Sequence, residues 1–179
     1  EQECVETSPA GLDFLADCTK QWEEAVDQIA TLGIRLAKVR IGLVMGANGG
    51  IFPVISKPIR YYVGANLGSG EQWQSWIHIN DLVRIFNELL INSSLSGVYN
   101  GVAPEPIRAG EMNKQIAKAL HRPFFLPAIP GFLLRLVLGE MACLVLGGSR
   151  VSSAKIEKDA AFSFTFVRFE EALKELVHV

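Results

Sequence analysis

Several broad functions are closed to this chain by what it lacks. Its three cysteines, Cys4, Cys18 and Cys143, are odd in number and show no paired spacing. That argues against a disulfide framework or a cysteine-based metal site and reads as reduced thiols. Basic charge is not in excess: 17 Lys and Arg face 19 Asp and Glu, giving −2 and a pI near 6.0. Proteins that track a phosphate backbone use clustered Lys and Arg, so no nucleic-acid partner is expected. The longest apolar run, PGFLLRLVLGEMACLVLG at residues 130–147, carries Arg135 and Glu140. It is shorter than the roughly 20 residues of a membrane span, so a buried or cleft-covering helix is expected and no membrane. Charge blocks, repeats and low-complexity tracts are missing, and no leader pattern opens the chain, so a cytoplasmic location is expected.

What is present suffices for a core: 49% of 179 residues are hydrophobic, enough for one domain or two small lobes. The densest stretch is residues 68–82, GSGEQWQSWIHINDL. Gly68 and Gly70 permit a turn that a side chain would obstruct. Trp76, Ile77 and Ile79 around His78 read as a short buried strand. Asn80 has the type and place of a helix cap, with the helix beginning near Asp81.

Around it the chain alternates helices and strands. Leu15, Cys18, Trp22, Ala25, Ile29 and Leu32 form one stripe of a helix over residues 12–32, which Gly33 ends. Residues 34–45 read as a strand rich in branched aliphatics, and the loop 46–50 at its carboxyl end is either an anion nest or a plain turn. A short helix broken by Pro53 and Pro58 is expected over 51–59, a small strand over 60–63, a helix from Leu82 to about Leu90, and a strand over 96–102 with Asn100 at its centre. A helix over 109–120 stops at His121-Arg122-Pro123. Strands are expected at 124–126 and at 162–166, where Phe162, Phe164 and Phe166 alternate with Ser163 and Thr165. Ser152 or Ser153 would cap a segment ending at Asp159, and a last helix would run over 169–177.

The wording G-S-G-x-Q-W-x-S-W-I-H-I-x-D-L resembles one branch of the extended short-chain dehydrogenase/reductases, the atypical group of nucleoside-diphosphate-sugar epimerase family proteins. The likeness extends through Ser8-Pro9, Asp13-Phe14-Leu15-Ala16, Trp22-Glu23, residues 39–46 with Gly49-Gly50, Tyr99-Asn100, Ala103-Pro104, His121-Arg122-Pro123, Gly139-Glu140-Met141-Ala142 and Phe162-Ser163-Phe164. It implies an α/β fold, the carboxyl-terminal part of a Rossmann-type fold with a small α/β substrate lobe. Residues 1–105 would be the carboxyl half of the Rossmann-like domain with substrate-lobe insertions, and 106–179 a carboxyl-terminal helical cap. It also implies an NADP cofactor and a small-molecule substrate such as a nucleotide sugar.

The glycine turn that lets a dinucleotide pyrophosphate approach bare backbone is absent, as is an acidic ribose partner. The chain therefore reads as part of a longer polypeptide. The family's catalytic Y-x-x-x-K pair would fall within residues 14–24, which hold no tyrosine. Phe14 cannot transfer a proton, and Ala16 before Lys20 does not complete the motif. The catalytic residues are thus unassigned. Arg40, Gly42 and Leu43 are the candidate cofactor contacts, because that strand runs under the nicotinamide in relatives. Gln72, Gln74, His78, Asn100 and Arg122 are the candidate substrate contacts. Gln74 stands where sugar-nucleotide epimerases place an arginine on the diphosphate, and an amide cannot supply that charge-assisted fork. His78 either meets a ligand or fixes the fold, and Arg122 either meets phosphate or closes a helix end. Two functions follow: an NADP-dependent epimerase-like enzyme, or a non-catalytic cofactor-sensing or interaction module. An incomplete sheet would leave strand 34–45 with an open edge, through which the chain would dimerise.

Overall fold

Gly42 divides what the sequence presents as one strand. The structure, a computed structural model, describes residues 3–177. After a helix α1 (Phe14–Asp27) and a 3₁₀ turn (Gln28–Leu32), the chain forms β1 (Ala37–Ile41) and β2 (Leu43–Gly46). β1 runs parallel to β6 (Gly97–Gly101), with Ala37 opposite Gly97 and Ile41 opposite Gly101. The ladder then changes partner within one residue: Gly42 N–H donates to Gly101 O, but Leu43 N–H donates to Ser75 O. β2 continues parallel to β5 (Trp76–His78), and Ala103 N–H donates to Trp76 O from the other side. β5 is thus inserted between two chains that were neighbours one residue earlier. A Cβ at Gly42 would overlap the Ser75 carbonyl, so the splay requires glycine.

Turn chemistry sets the remaining connections. The loop at 46–50 is a hairpin turn: β2 pairs antiparallel with β3 (Gly49–Gly50) through Ala47-Asn48, and Gly50 has φ 68°. Helix α2 (Phe52–Arg60) follows and is continuous: Pro53 lies in its first turn, where no N–H is needed, and the helix runs on through Pro58. The strand expected at 60–63 is a turn instead. Gly68 and Gly70 have φ 67° and 76° as their place in the loop suggested. β4 (Trp73–Gln74) pairs with β7 (Ile107–Arg108), then come β5 and α3 (Ile79–Ile91).

The cap of α3 is His78, not Asn80: His78 Nδ1 accepts the Asn80 N–H at 3.3 Å. The buried strand delivers the ring directly onto the first turn, so the helix begins at Ile79, two residues sooner than the Asn80 rule places it. Asn80 instead donates its amide to Glu175 at 3.0 Å.

Helix α4 (Ala109–Ala119) ends as the proline predicts. The apolar run 130–147 is three short pieces, α5 (Gly131–Leu138), a 3₁₀ turn (Gly139–Ala142) and α6 (Cys143–Leu146), bent where Gly139 takes φ 58°. Its outer face is exposed, with Phe132, Leu136, Val137 and Met141 all more than 60% accessible; Ala142 is buried, and Val145 lines a cleft together with Ile129 just before the run. Residues 124–126 form no strand. Helices α7 (Ala154–Asp159) and α8 (Phe169–Val177) complete the chain.

Trp76 and Ile77 point to opposite faces of β5 and each centres a core. The first joins Met45, Phe52, Ile59, Trp76, Met112, Ile116, Phe169 and Leu173, and the second Ile77, Leu82, Ile85, Leu89, Tyr99 and Ile156. Trp76 is fully buried, edge-on to Phe169 at 5.1 Å, with its indole N–H on Glu105 O at 2.9 Å. Truncating so large a buried ring costs about 3–5 kcal/mol. Arg35 closes the end of α3, donating to the carbonyls of Leu89 and Leu95 at 2.9 and 2.8 Å.

Candidate functional site

The splay at Gly42 opens a crevice at the carboxyl ends of β1 and β6, the place where open α/β sheets bind ligands. This first cavity has a volume of about 360 Å³ and is walled by Ile41, Gly42, Ser75, Asn100, Val102 and the face of α1 that carries Ala16, Thr19, Lys20 and Glu23. Asp13 fixes where α1 starts, accepting the Ala16 N–H at 2.8 Å, and so sets which side chains face the crevice.

The charges in it are largely spent on one another. Arg40 grips Glu23 with two hydrogen bonds, Nε to Oε1 at 2.7 Å and a terminal nitrogen to Oε2 at 2.8 Å, and also donates to Glu6 O. Those hydrogen bonds hold the Glu23 carboxyl below its ordinary value, and the same contact raises Arg40. Lys38 adds an ion pair to Glu23 at 3.5 Å and one to Asp27 at 2.8 Å. Lys20 is the lining cation least committed, with only Asp17 at 4.0 Å, and both of those side chains are more than half exposed. Asn100 is tied by its amide to Ser152 O at 3.0 Å, and its backbone N–H donates to Glu6.

A second cavity of about 300 Å³ is lined by the neighbours of two residues of the first, Leu43 just after Gly42 and Gln74 just before Ser75, whose side chains point the other way. Residues of α2, the loop before Gly68, α4, Ile129 and Val145 enclose it. Gln72 lines it, but its amide donates to Leu67 O at 3.0 Å and Val145 O at 2.9 Å.

The eight residues singled out in the sequence therefore separate. Arg40, Gly42 and Asn100 line the first cavity, and Leu43, Gln72 and Gln74 line the second. His78 borders a groove under the β2–β3 hairpin together with Glu175. It is buried, stacked on Phe166 at 4.1 Å, and serves the fold as a cap. Arg122 lines none of these three; it donates to Tyr62 Oη at 2.9 Å and lies over that ring, closing the end of α4. Lys20 and Glu23 were missed as site residues. Their signal was a spacing: Ala16, Lys20 and Glu23 are four and three apart, one face of a helix, and that face looks into the crevice.

Among the described residues no cluster of His, Cys, Asp and Glu could hold a metal ion, and no helix is long and apolar enough to cross a membrane.

Splayed parallel strands flanked by helices, with crevices at their carboxyl ends, define an α/β protein of Rossmann type, here a portion of one. A domain of unknown function, DUF1731, matches residues 129–176. An epimerase family protein of Arabidopsis thaliana, described as a chloroplastic SDR39U1 homolog, is 41% identical over 172 residues, 96% of this chain and 49% of that protein. The crystal structure of human epimerase family protein SDR39U1 with NADPH matches with a TM-score of 0.89 and 32% identity, covering 99% of this chain and 60% of that one. The UDP-glucose 4-epimerase of Thermus thermophilus, at 16% identity and a TM-score of 0.71, covers 98% of this chain and 58% of its own and shares the fold. Over nearly its whole length the chain is similar to epimerase family proteins, and a carboxyl-terminal portion of their fold accounts for it. It spans about half the length of the curated relatives it matches.

Proposed function

We propose that this chain forms the substrate side, and one wall of the nicotinamide-nucleotide site, of an epimerase-family protein that binds NADP and a small molecule. The observation that carries this is the first cavity: it lies at the carboxyl ends of parallel strands and is lined by a bare glycine, aliphatic residues and a partly free Lys20. That lining suits the nicotinamide end of a dinucleotide, a flat ring with a hydroxylated sugar beside it. It does not suit the pyrophosphate, which needs a glycine turn at a helix start, and this sequence has none. NADPH is named for the human relative and NAD for the Thermus enzyme, and the human likeness carries the choice of NADP.

Ala16 supports a role in binding over proton transfer. It lines the cavity one helical turn before Lys20, so the position from which a phenol would reach a substrate offers a methyl group. A cofactor held there would meet no tyrosine from α1. In a titration followed by backbone amide NMR, NADPH should shift Ala16, Lys20, Gly42 and Asn100, with affinity weaker than micromolar and no turnover with nucleotide sugars. Micromolar affinity in this chain alone, or shifts that avoid these four residues, would overturn the reading.

A further inference from the structure

We infer that the second cavity takes an uncharged, mostly apolar small molecule bearing one hydrogen-bonding group, and not a sugar diphosphate. This rests on reading that cavity as the substrate side of the proposed function.

The first observation is the lining. Leu43, Ile51, Val54, Ile55, Ile59 and Met112 are among its walls, and no Lys, Arg, His, Asp or Glu is among its described lining residues. Met112 and Ile59 are buried, so part of the cavity floor is core. The volume of about 300 Å³ falls at the low end for small-molecule pockets. A diphosphate brought against such walls would lose its hydration without gaining a charge-assisted donor.

The second observation is how its polar groups are spent. The Gln72 amide is held by the carbonyls of Leu67 and Val145. Asn113 donates to Asn66 Oδ1 at 3.0 Å. Gln74 remains, and its side-chain amide is not spent on a hydrogen bond among the described residues. The nearby cation Arg108 is not available as a substitute: it donates to Glu71 O and lies over the Trp73 ring at 3.9 Å. Arg122 is occupied at Tyr62. An amide with neither end engaged, in an apolar enclosure whose other amides have their N–H groups spent, recognises a single hydroxyl or carbonyl and orients an otherwise greasy ligand. Such a site discriminates by the cost of leaving that amide unpaired.

The test uses 2-naphthol, a neutral bicyclic ring with one hydroxyl, and uridine diphosphate, each titrated into the 179-residue chain with carbon-labelled Ile and Met methyls. The expected result is saturable shifts of Ile55, Ile59 and Met112 with 2-naphthol and none with uridine diphosphate. Gln74→Leu should weaken 2-naphthol binding roughly two- to tenfold, the worth of one hydrogen bond, while methyls outside the cavity keep their positions. Saturable shifts of the same methyls by uridine diphosphate would overturn the inference. So would 2-naphthol shifts that do not saturate, or that fall only on Met141 of the exposed α5 region. Because the readout is confined to this cavity, a failure to bind NADPH in the first cavity would remove the proposed function and leave this result interpretable by itself.

Discussion

The imidazole of His78 can cap α3 only while its Nδ1 is unprotonated. Burial pushes the group below the ordinary histidine value of 6.5, against the pull of the Glu175 and Asp81 carboxylates, which would raise it. The sign follows directly. Near and below pH 6.5 the unfolded chain takes up a proton that the folded chain resists, so the contribution of His78 is complete above that range and lost as pH falls. The Glu23 carboxyl, held low by Arg40, contributes in a different window: its share persists until the pH falls below the ordinary carboxylate value of 4.5. Urea midpoints measured at fixed ionic strength should therefore fall between pH 7.5 and 5.5. His78→Asn keeps an oxygen cap and removes the titration, so it should flatten that slope. An unchanged slope in the variant would show that the ring does not couple to folding.

Among the elements, the segment 162–166 shows what alternation in a sequence does and does not encode. Phe162 and Phe164 join the second core and Phe166 packs on the first, so the period of two is real. No strand forms, because the segment's backbone is claimed by a side chain. Asp81, fully buried in the first turn of α3, accepts from Thr165 N–H at 3.0 Å and Phe166 N–H at 2.9 Å and pairs with Arg84 at 2.7 Å. Arg84 in turn donates to Ser163 O at 2.9 Å and lies over the Phe162 ring. Asp81→Ala would leave two part-buried donors without their acceptor and should cost roughly 1–3 kcal/mol, with faster hydrogen exchange at Thr165 and Phe166 than in the parent chain. A loss below 1 kcal/mol would mean that the segment is held by its phenylalanines alone. In sequence Asp81 marks only the start of a helix, since its burial depends on a segment 84 residues away. The same limit explains the site. The main helices, the glycine turns and the start of α8 were legible because they depend on local spacing. The division of the site into two cavities depends on the ladder changing partners at Gly42, which no local pattern in an aliphatic run announces.

For the whole molecule the telling surface is the one formed by α1 and the free side of β1. Helix α1 has the apolar stripe expected of a core-facing helix, yet none of its residues is buried, and Phe14 and Trp22, like Leu32 of the following 3₁₀ turn, are each about three-quarters exposed. Among the described residues β1 pairs with β6 alone, so its other edge is open. An apolar face next to an open strand edge is a surface that proteins rarely leave in water. Ionic cross-links from Lys38 and Arg40 to Glu23 fasten the helix to the strand, so the two present a single surface. At tens of micromolar the chain should therefore sediment as a dimer or larger species, with association strengthened by salt as burial of apolar area requires. Trp22→Glu, at an exposed position that the fold can tolerate, should return it to a monomer whose urea midpoint, unlike that of the parent chain, does not depend on protein concentration. Phe132→Glu, on the exposed face of α5, is the control, since it removes apolar surface of comparable exposure elsewhere. If Phe132→Glu dissociates the species and Trp22→Glu does not, association runs through α5; a monomer at high concentration would dispose of both surfaces as self-contacts.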